Sequence, residues 1–230
     1  INAINIKLSE LRGVSECAIS VDGENQYDVF VDGELKVMNE TEFQRNIYEA
    51  AIILFNEKGI KFTMDDISKK LGISKKTLYQ TVSDKEQLLD EMVTYCFDRI
   101  KEEEDKILKS ELDLIEKIRQ IVIVMPEQYR NIDLRPLRQI RERYPKIYDK
   151  VSYRLETGWD GTLKLMQDAI DLGLIRPVNL YIVKAVIEGA FEHFLGSQVL
   201  AEYQISYKDA LESMMDFIMN GLLSTKGEEA

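Results

Sequence analysis

Residues 62–89 read FTMDDISKKLGISKKTLYQTVSDKEQLL. This stretch is the most informative about the fold, because it contains successive helix starts. Thr63 precedes two aspartates across one methionine, so its hydroxyl can cap a helix whose N-terminal dipole favours the carboxylates. Gly72 follows at the position where a left-handed residue most easily ends that helix. Ser74 can then cap a second helix. Two short helices joined by a three-residue turn make a helix-turn-helix.

A third helix start and the apolar pattern complete this domain. Ser83 with Glu86 has the pattern of a capping box and predicts a long helix after the turn. The expected buried residues of the two short helices are Ile67, Leu71, Leu78 and Val82. Short helices need a further helix to pack on, and the apolar stripe of residues 42–58 supplies it.

The same region is basic inside an acidic chain. The 230 residues include 30 Lys and Arg against 41 Asp and Glu, a net charge of −11 that argues against non-specific coating of nucleic acid. Residues 58–85 nevertheless carry seven lysines and three aspartates, a net of +4. If Leu78 points inward, four polar residues project from the other side of the second helix: Lys75, Lys76, Tyr79 and Gln80. These residue types contact phosphates and base edges in the major groove, although a lysine-rich helix is often only a solvated surface.

Several short patterns in this region carry a family likeness. They are Ala-Ala…Leu-Phe…Lys-Gly, Asp-Ile-Ser…Leu-Gly-Ile-Ser, and Thr-Leu-Tyr followed by Ser-Asp-Lys-Glu-Gln-Leu-Leu. Residues 45–93, about a fifth of the chain, thereby resemble the TetR family of transcriptional regulators. One departure is that Gln80-Thr81-Val82 follows Leu-Tyr, where the family commonly has further aromatic residues. Val82 can still fill the core position, whereas Thr81 lacks an aromatic group that often reaches the DNA backbone.

The resemblance implies an all-α fold with an N-terminal three-helix DNA-binding domain and a C-terminal helical domain for ligand binding and dimerisation. It implies that residues 75–81 form the recognition region and that Tyr79 contacts a base or a phosphate. Thr63 and Lys85 would anchor the DNA backbone at the neighbouring helix N-termini. The DNA-binding set expected on these grounds is Thr63, Ser74, Lys75, Lys76, Thr77, Tyr79, Gln80 and Lys85.

Residues 1–37 have a different character from the rest of the chain. Apolar residues at alternate positions between Ile19 and Val37 predict short strands, and Asp22-Gly23 and Asp32-Gly33 are plausible tight turns. We expect a β-rich extension, which is either an accessory element or a segment without a role in function. The remaining domains are expected at residues 38–84 and 85–230.

The C-terminal domain should consist of helices interrupted near Pro126, Pro136, Pro145 and Pro177, with a helix stop at Gly173. Two strongly apolar helices at its end predict either an ordinary core or a four-helix dimer interface, and the resemblance favours the dimer. The expected interface residues are Val183, Ile187, Ala190, Phe191, Phe194, Leu211, Met214, Phe217 and Ile218. His193, the single histidine, is expected to pack in that interface.

Aromatic residues of the middle helices are the candidate ligand site, although such residues belong more often to a core. They are Tyr129, Tyr153 and Trp159, together with Met166. An arginine block at residues 130–143 could instead receive an acidic effector or pair with the acidic stretch 102–105.

The functional hypothesis is a ligand-responsive repressor that binds a pseudo-palindromic operator as a homodimer and is released by a small molecule. The alternative is a helical dimer of the same fold that binds a small molecule or a protein without reading DNA. No metal-ligand pattern, phosphate-binding loop or nucleophile motif stands in the sequence, so we expect no enzyme, no cofactor and no metal. No apolar run approaches the length of a membrane span and no apolar leader is visible, which favours a cytoplasmic protein.

Overall fold

A computed structural model describes the chain at residues 19–21, 24–31, 34–126, 129, 136–196 and 199–223. At residues 19–21, 24–31, 34–38, 40, 196 and 201 it describes the backbone alone. The chain divides into two compact units, Ile1–Met92 and Val93–Ala230.

The first unit contains a three-stranded antiparallel sheet ahead of its helices. Strand β2, Glu24–Val31, lies between β1, Ile19–Val21, and β3, Glu34–Asn39. Residues 1–18 and the two expected Asp-Gly turns lie outside the described residues. The role of the extension therefore stays a prediction.

Three helices form the helix-turn-helix region of the first unit. They are α1 Glu40–Lys58, α2 Met64–Leu71 and α3 Lys75–Thr81, with a 3-10 turn at Gly59–Lys61 between α1 and α2. The predicted packing is confirmed, because Ile67, Leu78 and Val82 are fully buried and Leu71 is nearly so. Burial of this apolar set holds two short helices that would not be stable alone.

The ends of α2 and α3 have the predicted caps. The Thr63 hydroxyl accepts a hydrogen bond from the Asp66 backbone N–H at 3.2 Å, and the Thr63 backbone N–H donates to Asp66 Oδ2 at 2.8 Å. Gly72 ends α2 with φ +66°, a conformation that glycine adopts without strain. Ser74 Oγ accepts from the Thr77 backbone N–H at 3.2 Å and starts α3. These local bonds fix where each helix begins and ends.

The start of the next helix differs from the expected capping box. Helix α4 runs Lys85–Lys109, and the Gln87 backbone N–H donates to Asp84 Oδ1 at 2.9 Å. The prediction that Ser83 and Glu86 form the box was wrong by one residue, because Asp84 also offers an oxygen three residues before a backbone donor. Ser83 instead donates its backbone N–H to the Gln87 side chain at 2.8 Å.

The second unit consists of the rest of α4 and the helices that follow it. They are α5 Leu114–Val122, α6 Leu137–Arg143, α7 Pro145–Glu156, α8 Asp160–Asp171, α9 Leu180–Gly196, α10 Val199–Glu202 and α11 Tyr207–Leu222. The predicted breaks are confirmed at Pro136, which precedes α6, and at Pro145, which opens α7. Gly173 follows α8 with φ +69°, which confirms the predicted stop.

One apolar cluster forms the core of the second unit. Ile118 of α5, Met166 of α8, Ile187 of α9 and Met215 of α11 are almost completely buried within it. The four helices therefore share one core inside a single chain. None of the described helices has the length and hydropathy required to cross a bilayer.

The two sides of α3 should differ sharply in their effect on stability. Leu78→Ala removes a side chain that is 0% exposed, so we expect it to lower the free energy of unfolding by about 2–5 kcal/mol. Gln80→Ala, on the exposed side of the same helix, should change it by less than about 0.5 kcal/mol. Urea denaturation followed by circular dichroism measures both, and equal effects would contradict the described orientation of α3.

Candidate nucleic-acid interface

Helix α3 presents a polar side to solvent. Leu78 is 0% exposed, whereas the adjacent Tyr79 is 48% exposed. The side chains of Lys75, Lys76 and Gln80 are exposed as well. The four polar residues predicted to project from this helix thus lie on its solvent side, and this set is named the α3 face.

The cations of the α3 face differ in their partners. Lys75 Nζ lies 2.9 Å from Asp65 Oδ1, and Lys69 Nζ lies 3.2 Å from the other oxygen of the same carboxylate. These two hydrogen bonds lower the pKa of Asp65, and the bond to Asp65 raises the pKa of Lys75. Lys76 has no ion pair within the described residues. Asp65 thus offsets part of the charge of Lys75, whereas no described carboxylate forms an ion pair with Lys76.

Two residues of the expected DNA-binding set point inward and start the helix. Thr77 is buried, and its hydroxyl lies 3.3 Å from Ser74 Oγ. Ser74 is half-buried and accepts the Thr77 backbone N–H. Ser74 and Thr77 thus shape the start of α3, and their expected contact with DNA stays a prediction.

Lys85 is engaged inside the protein. Its ammonium group donates hydrogen bonds to the backbone carbonyls of Ile60 and Phe62 and lies 4.3 Å from the centre of the Phe62 ring. Lys85 thus positions the turn before α2, and its expected contact with a DNA phosphate stays a prediction. Thr63, which follows this turn, is exposed and holds the N-terminus of α2.

A polar network ties α4 to α1 and to the loop after α3. The Tyr48 hydroxyl donates to Glu91 Oε2 at 3.0 Å, and burial together with this bond raises the pKa of Tyr48. Gln87 Nε2 donates to Glu91 Oε1 at 2.7 Å, while its Oε1 accepts the Ser83 backbone N–H. We call Tyr48, Glu91, Gln87 and Ser83 the α4 network. It holds the first turns of α4 against the elements that carry the α3 face.

The second unit contains two adjacent cavities. The aromatic cavity, of about 130 Å³, is lined by residues that include Phe97, Trp159, Thr162, Phe191 and Tyr207. The acidic cavity, of about 580 Å³, is lined by residues that include Glu103, Glu116, Arg119, Lys208, Glu212 and Asp216. Helix α4 also lines these cavities, with residues 97, 100, 103, 104 and 107, none of which was expected at a ligand site. Their helical spacing is the feature of the sequence that could have indicated this shared face.

The four residues expected to bind a ligand are not brought together. Trp159 lines the aromatic cavity and stacks on Phe191, with ring centres 6.5 Å apart. Met166 belongs to the core, and Tyr129 is buried. Tyr153 is 65% exposed and lines neither cavity. Of the four residues, Trp159 alone lines a cavity. Tyr153 can face solvent, because a single exposed aromatic residue on a surface helix costs little.

The residues expected at a dimer interface divide into three groups by their exposure. Three are buried in the core of their own chain and the others, except Phe217, are half-buried: Ile187, Phe191 and Leu211 in the core, and Val183, Ala190, Phe194, Met214 and Ile218 partly covered. Phe217 is 82% exposed. The exposed large apolar residues of α9 are Tyr181, Ile182 and Val186. His193, on the same helix, is exposed as well. The inner part of the broad apolar stripe thus belongs to the core of its own chain, and the expected dimer interface stays a prediction.

Comparisons with known proteins agree with this architecture. Residues 47–92 match the family model of bacterial regulatory proteins of the tetR family. The chain is 27% identical over 178 residues to YvaF, an uncharacterized HTH-type transcriptional regulator of Bacillus subtilis (strain 168), which covers 77% of this chain and 93% of that protein.

Two solved structures show the same fold. The ketosteroid transcriptional regulator KstR2 of Mycobacterium tuberculosis is 16% identical with a TM-score of 0.54, over 80% of this chain and 96% of that chain. A protein of Saccharomonospora viridis, described as a transcriptional regulator and solved in complex with choline, is 19% identical with a TM-score of 0.55, over 81% and 100%.

A helix-turn-helix with an exposed basic helix, followed by a helical body, is the architecture of the DNA-binding regulators of transcription that this chain resembles. Its DNA-binding domain is that of the TetR family, which confirms the resemblance found in the sequence. The relatives named above are regulators and not enzymes.

The ion pair and cap around Asp66 predict a pH dependence of stability. Hydrogen bonds from Lys58 and Thr63 lower the pKa of Asp66 from 3.8 to about 2. A lowered folded-state pKa means that the stabilisation is present above the unfolded-state value and is lost as the pH falls from about 4 to about 2. Asp66→Asn lacks this stabilisation by a carboxylate, so the difference in unfolding free energy between the parent and the variant should shrink as the pH falls from about 4 to about 2.

Urea denaturation at a series of pH values measures this difference. Asp105→Asn is a matched control, because Asp105 is exposed and has no ion pair in the described part of the chain. A parent-minus-variant difference that stays constant between pH 4 and pH 2 for Asp66→Asn would contradict the assignment.

Proposed function

We propose that the protein is a ligand-responsive transcriptional repressor. In this proposal it acts in the cytoplasm, binds a pseudo-palindromic operator as a homodimer and is released from DNA by a small-molecule effector. The α3 face carries the proposal, because exposed lysine, tyrosine and glutamine side chains stand on one side of a helix whose other side is buried.

The chemistry of the α3 face suits a major groove. Lys76 supplies an unpaired cation for a phosphate, and Gln80 can form paired hydrogen bonds with an adenine edge. Tyr79 can donate its hydroxyl to a phosphate or stack its ring along the groove. Because this region is basic while the chain as a whole is acidic, the attraction to DNA is confined to one side of the first unit.

Two copies are needed to read a palindrome. Recognition helices about 34–36 Å apart contact successive turns of the same side of DNA. Exposed Tyr181, Ile182 and Val186 of α9 and exposed Phe217 of α11 form the surface that we assign to the homodimer. An apolar surface of this kind is costly to leave in water, and pairing two copies removes it from solvent.

The effector site in this proposal is the pair of cavities in the second unit. The solved relatives support a small-molecule site in general terms, since one is described as a ketosteroid regulator and another was solved with choline. Binding energy has to favour one arrangement of the DNA-binding domains, and a coupling of about 1–3 kcal/mol is enough to release an operator.

Selection from a pool of random duplex DNA at physiological salt tests the proposal. We expect an inverted repeat to be enriched, with half-sites about one helical turn apart. Lys76→Ala with Tyr79→Ala should abolish this enrichment while the circular dichroism spectrum stays unchanged, since both side chains are exposed.

Lys109→Ala is the matched control, because it removes an exposed lysine from the C-terminal end of α4 and should not alter the enriched sequence. Retention of DNA without a shared sequence, or no retention, would favour the alternative of a helical protein that does not read DNA. Enrichment that survives the double substitution would show that the α3 face is not the reading surface.

The assigned dimer surface gives a separate prediction. Phe217→Asp places a charge on an exposed apolar residue and should convert the dimer to a monomer in sedimentation velocity experiments. Tyr153→Asp, which alters an exposed aromatic residue of α7, should leave the dimer intact. A Phe217→Asp protein that sediments as a dimer would place the interface elsewhere.

A further inference from the structure

The two cavities of the second unit differ in the chemistry of their walls, and together they indicate a class of ligand. We propose that the effector is an amphipathic organic cation, with an apolar part in the aromatic cavity and an ammonium group directed to the acidic cavity. This inference rests on the proposed function for the word effector, while the binding chemistry stands on the cavities themselves.

The aromatic cavity offers ring faces to a ligand. Four aromatic residues line it: Phe97, Trp159, Phe191 and Tyr207. The Trp159 Nε1–H donates to the Leu155 carbonyl at 2.9 Å, so the polar edge of the indole is already satisfied within the protein. What remains for a ligand is the apolar ring surface, which attracts hydrocarbon and, through its quadrupole, cations.

Two hydroxyl groups in the same cavity have no hydrogen-bond partner among the described residues. Thr162 is 8% exposed and Tyr207 has its pKa raised by burial alone. Both line the aromatic cavity, and neither hydroxyl bonds to another described group. Both hydroxyls can therefore form hydrogen bonds with polar groups of a ligand that also brings apolar surface into the cavity.

The acidic cavity adjoins the aromatic one through Val124, Met125 and Leu211, which line both. Its charged lining residues are Glu103, Glu116, Glu212 and Asp216 against Arg119 and Lys208, four carboxylates to two cations. Arg119 is shared, because it contacts Asp216 and also lies 3.9 Å from Glu116. Lys106 also lies 2.6 Å from Glu103, and Lys208 lies 3.6 Å from Glu212. Four carboxylates therefore face three cations, and an added ammonium would balance this excess of one negative charge.

An anionic ligand would meet the opposite situation. Arg154, which lines the aromatic cavity, is held by Asp98 at 3.1 Å and lies 6.0 Å from the centre of the Phe97 ring. In the arginine block, Arg138 lies 3.7 Å from Glu142 and Arg141 lies over the Tyr148 ring. Neither arginine lines a cavity in the described part of the chain. The acidic effector considered from the sequence thus has less support than a cation.

The single tryptophan provides a direct measurement. Because Trp159 lines the aromatic cavity, a ligand bound there should change its emission. We would titrate the full chain with decyltrimethylammonium, decanol and decyl sulfate, each below its micelle concentration. The three probes share one apolar chain and differ in charge. We expect the cation to bind at least about tenfold more tightly than the anion, with decanol between them.

Substitutions test the acidic cavity as the source of this preference. Glu116→Gln with Glu212→Gln removes two carboxylates and should weaken decyltrimethylammonium by about tenfold while leaving decanol unchanged. Glu111→Gln is the matched control, since Glu111 is exposed and lines neither cavity. Circular dichroism of each variant shows whether its fold is retained.

Tighter binding of decyl sulfate, or no emission change with any probe, would overturn the inference. Operator binding is measured separately by electrophoretic mobility shift with each probe present. Release of the operator by decyl sulfate alone would keep the proposed function and refute the cationic class. Binding of the cation at Trp159 without release would support the cationic class and count against the proposed effector response.

Discussion

The burial of Leu78 determines which side of α3 faces solvent, and the candidate DNA-binding surface depends on it. With Leu78 and Val82 fixed in the core four residues apart on one face, Lys76 and Gln80, two positions before and after Leu78, must face outward. The Thr63 cap and the left-handed Gly72 set the ends of α2, so α3 starts at one defined residue. A shift of α3 by one residue would turn Leu78 into solvent and Tyr79 into the core. The hydrophobic effect thus fixes the orientation of the polar side.

The lysines expected to contact DNA differ in their electrostatic partners. Asp65 holds Lys75, whereas Lys85 is bonded to backbone carbonyls. Of the lysines expected to contact DNA, Lys76 is therefore the one with a solvent-facing charge and no counter-ion in the described region. Each contact between a cation and a phosphate strengthens DNA binding, and salt weakens this electrostatic contribution. A surface with fewer unpaired cations therefore has a weaker non-specific affinity for DNA. An overall charge of −11 opposes non-specific binding further and leaves a larger share of the affinity to base contacts.

Local features were predictable from the sequence, and long-range ones were not. The caps at Thr63 and Ser74 join residues three apart, so the residue types alone indicated them. At the start of α4 two adjacent residues could cap, and Asp84 rather than Ser83 does so. The bond from Lys85 to Ile60 joins residues 25 apart, which no local pattern encodes. The apolar stripes of α9 and α11 predicted burial, but periodicity does not distinguish an intrachain core from a partner chain.

Helix α4 gives the proposed response a physical route that needs no separate linker. Its first turns belong to the α4 network, and later turns of the same continuous helix line both cavities. A ligand that favoured a different setting of this helix would act on the bonds of Glu91 and Gln87. Hydrogen bonds to a charged group contribute about 1.5–3 kcal/mol each, and a coupling of about 1–3 kcal/mol is what an effector response requires. The free energy of the hydrogen bonds in the α4 network is therefore comparable to the coupling free energy that the proposed response requires.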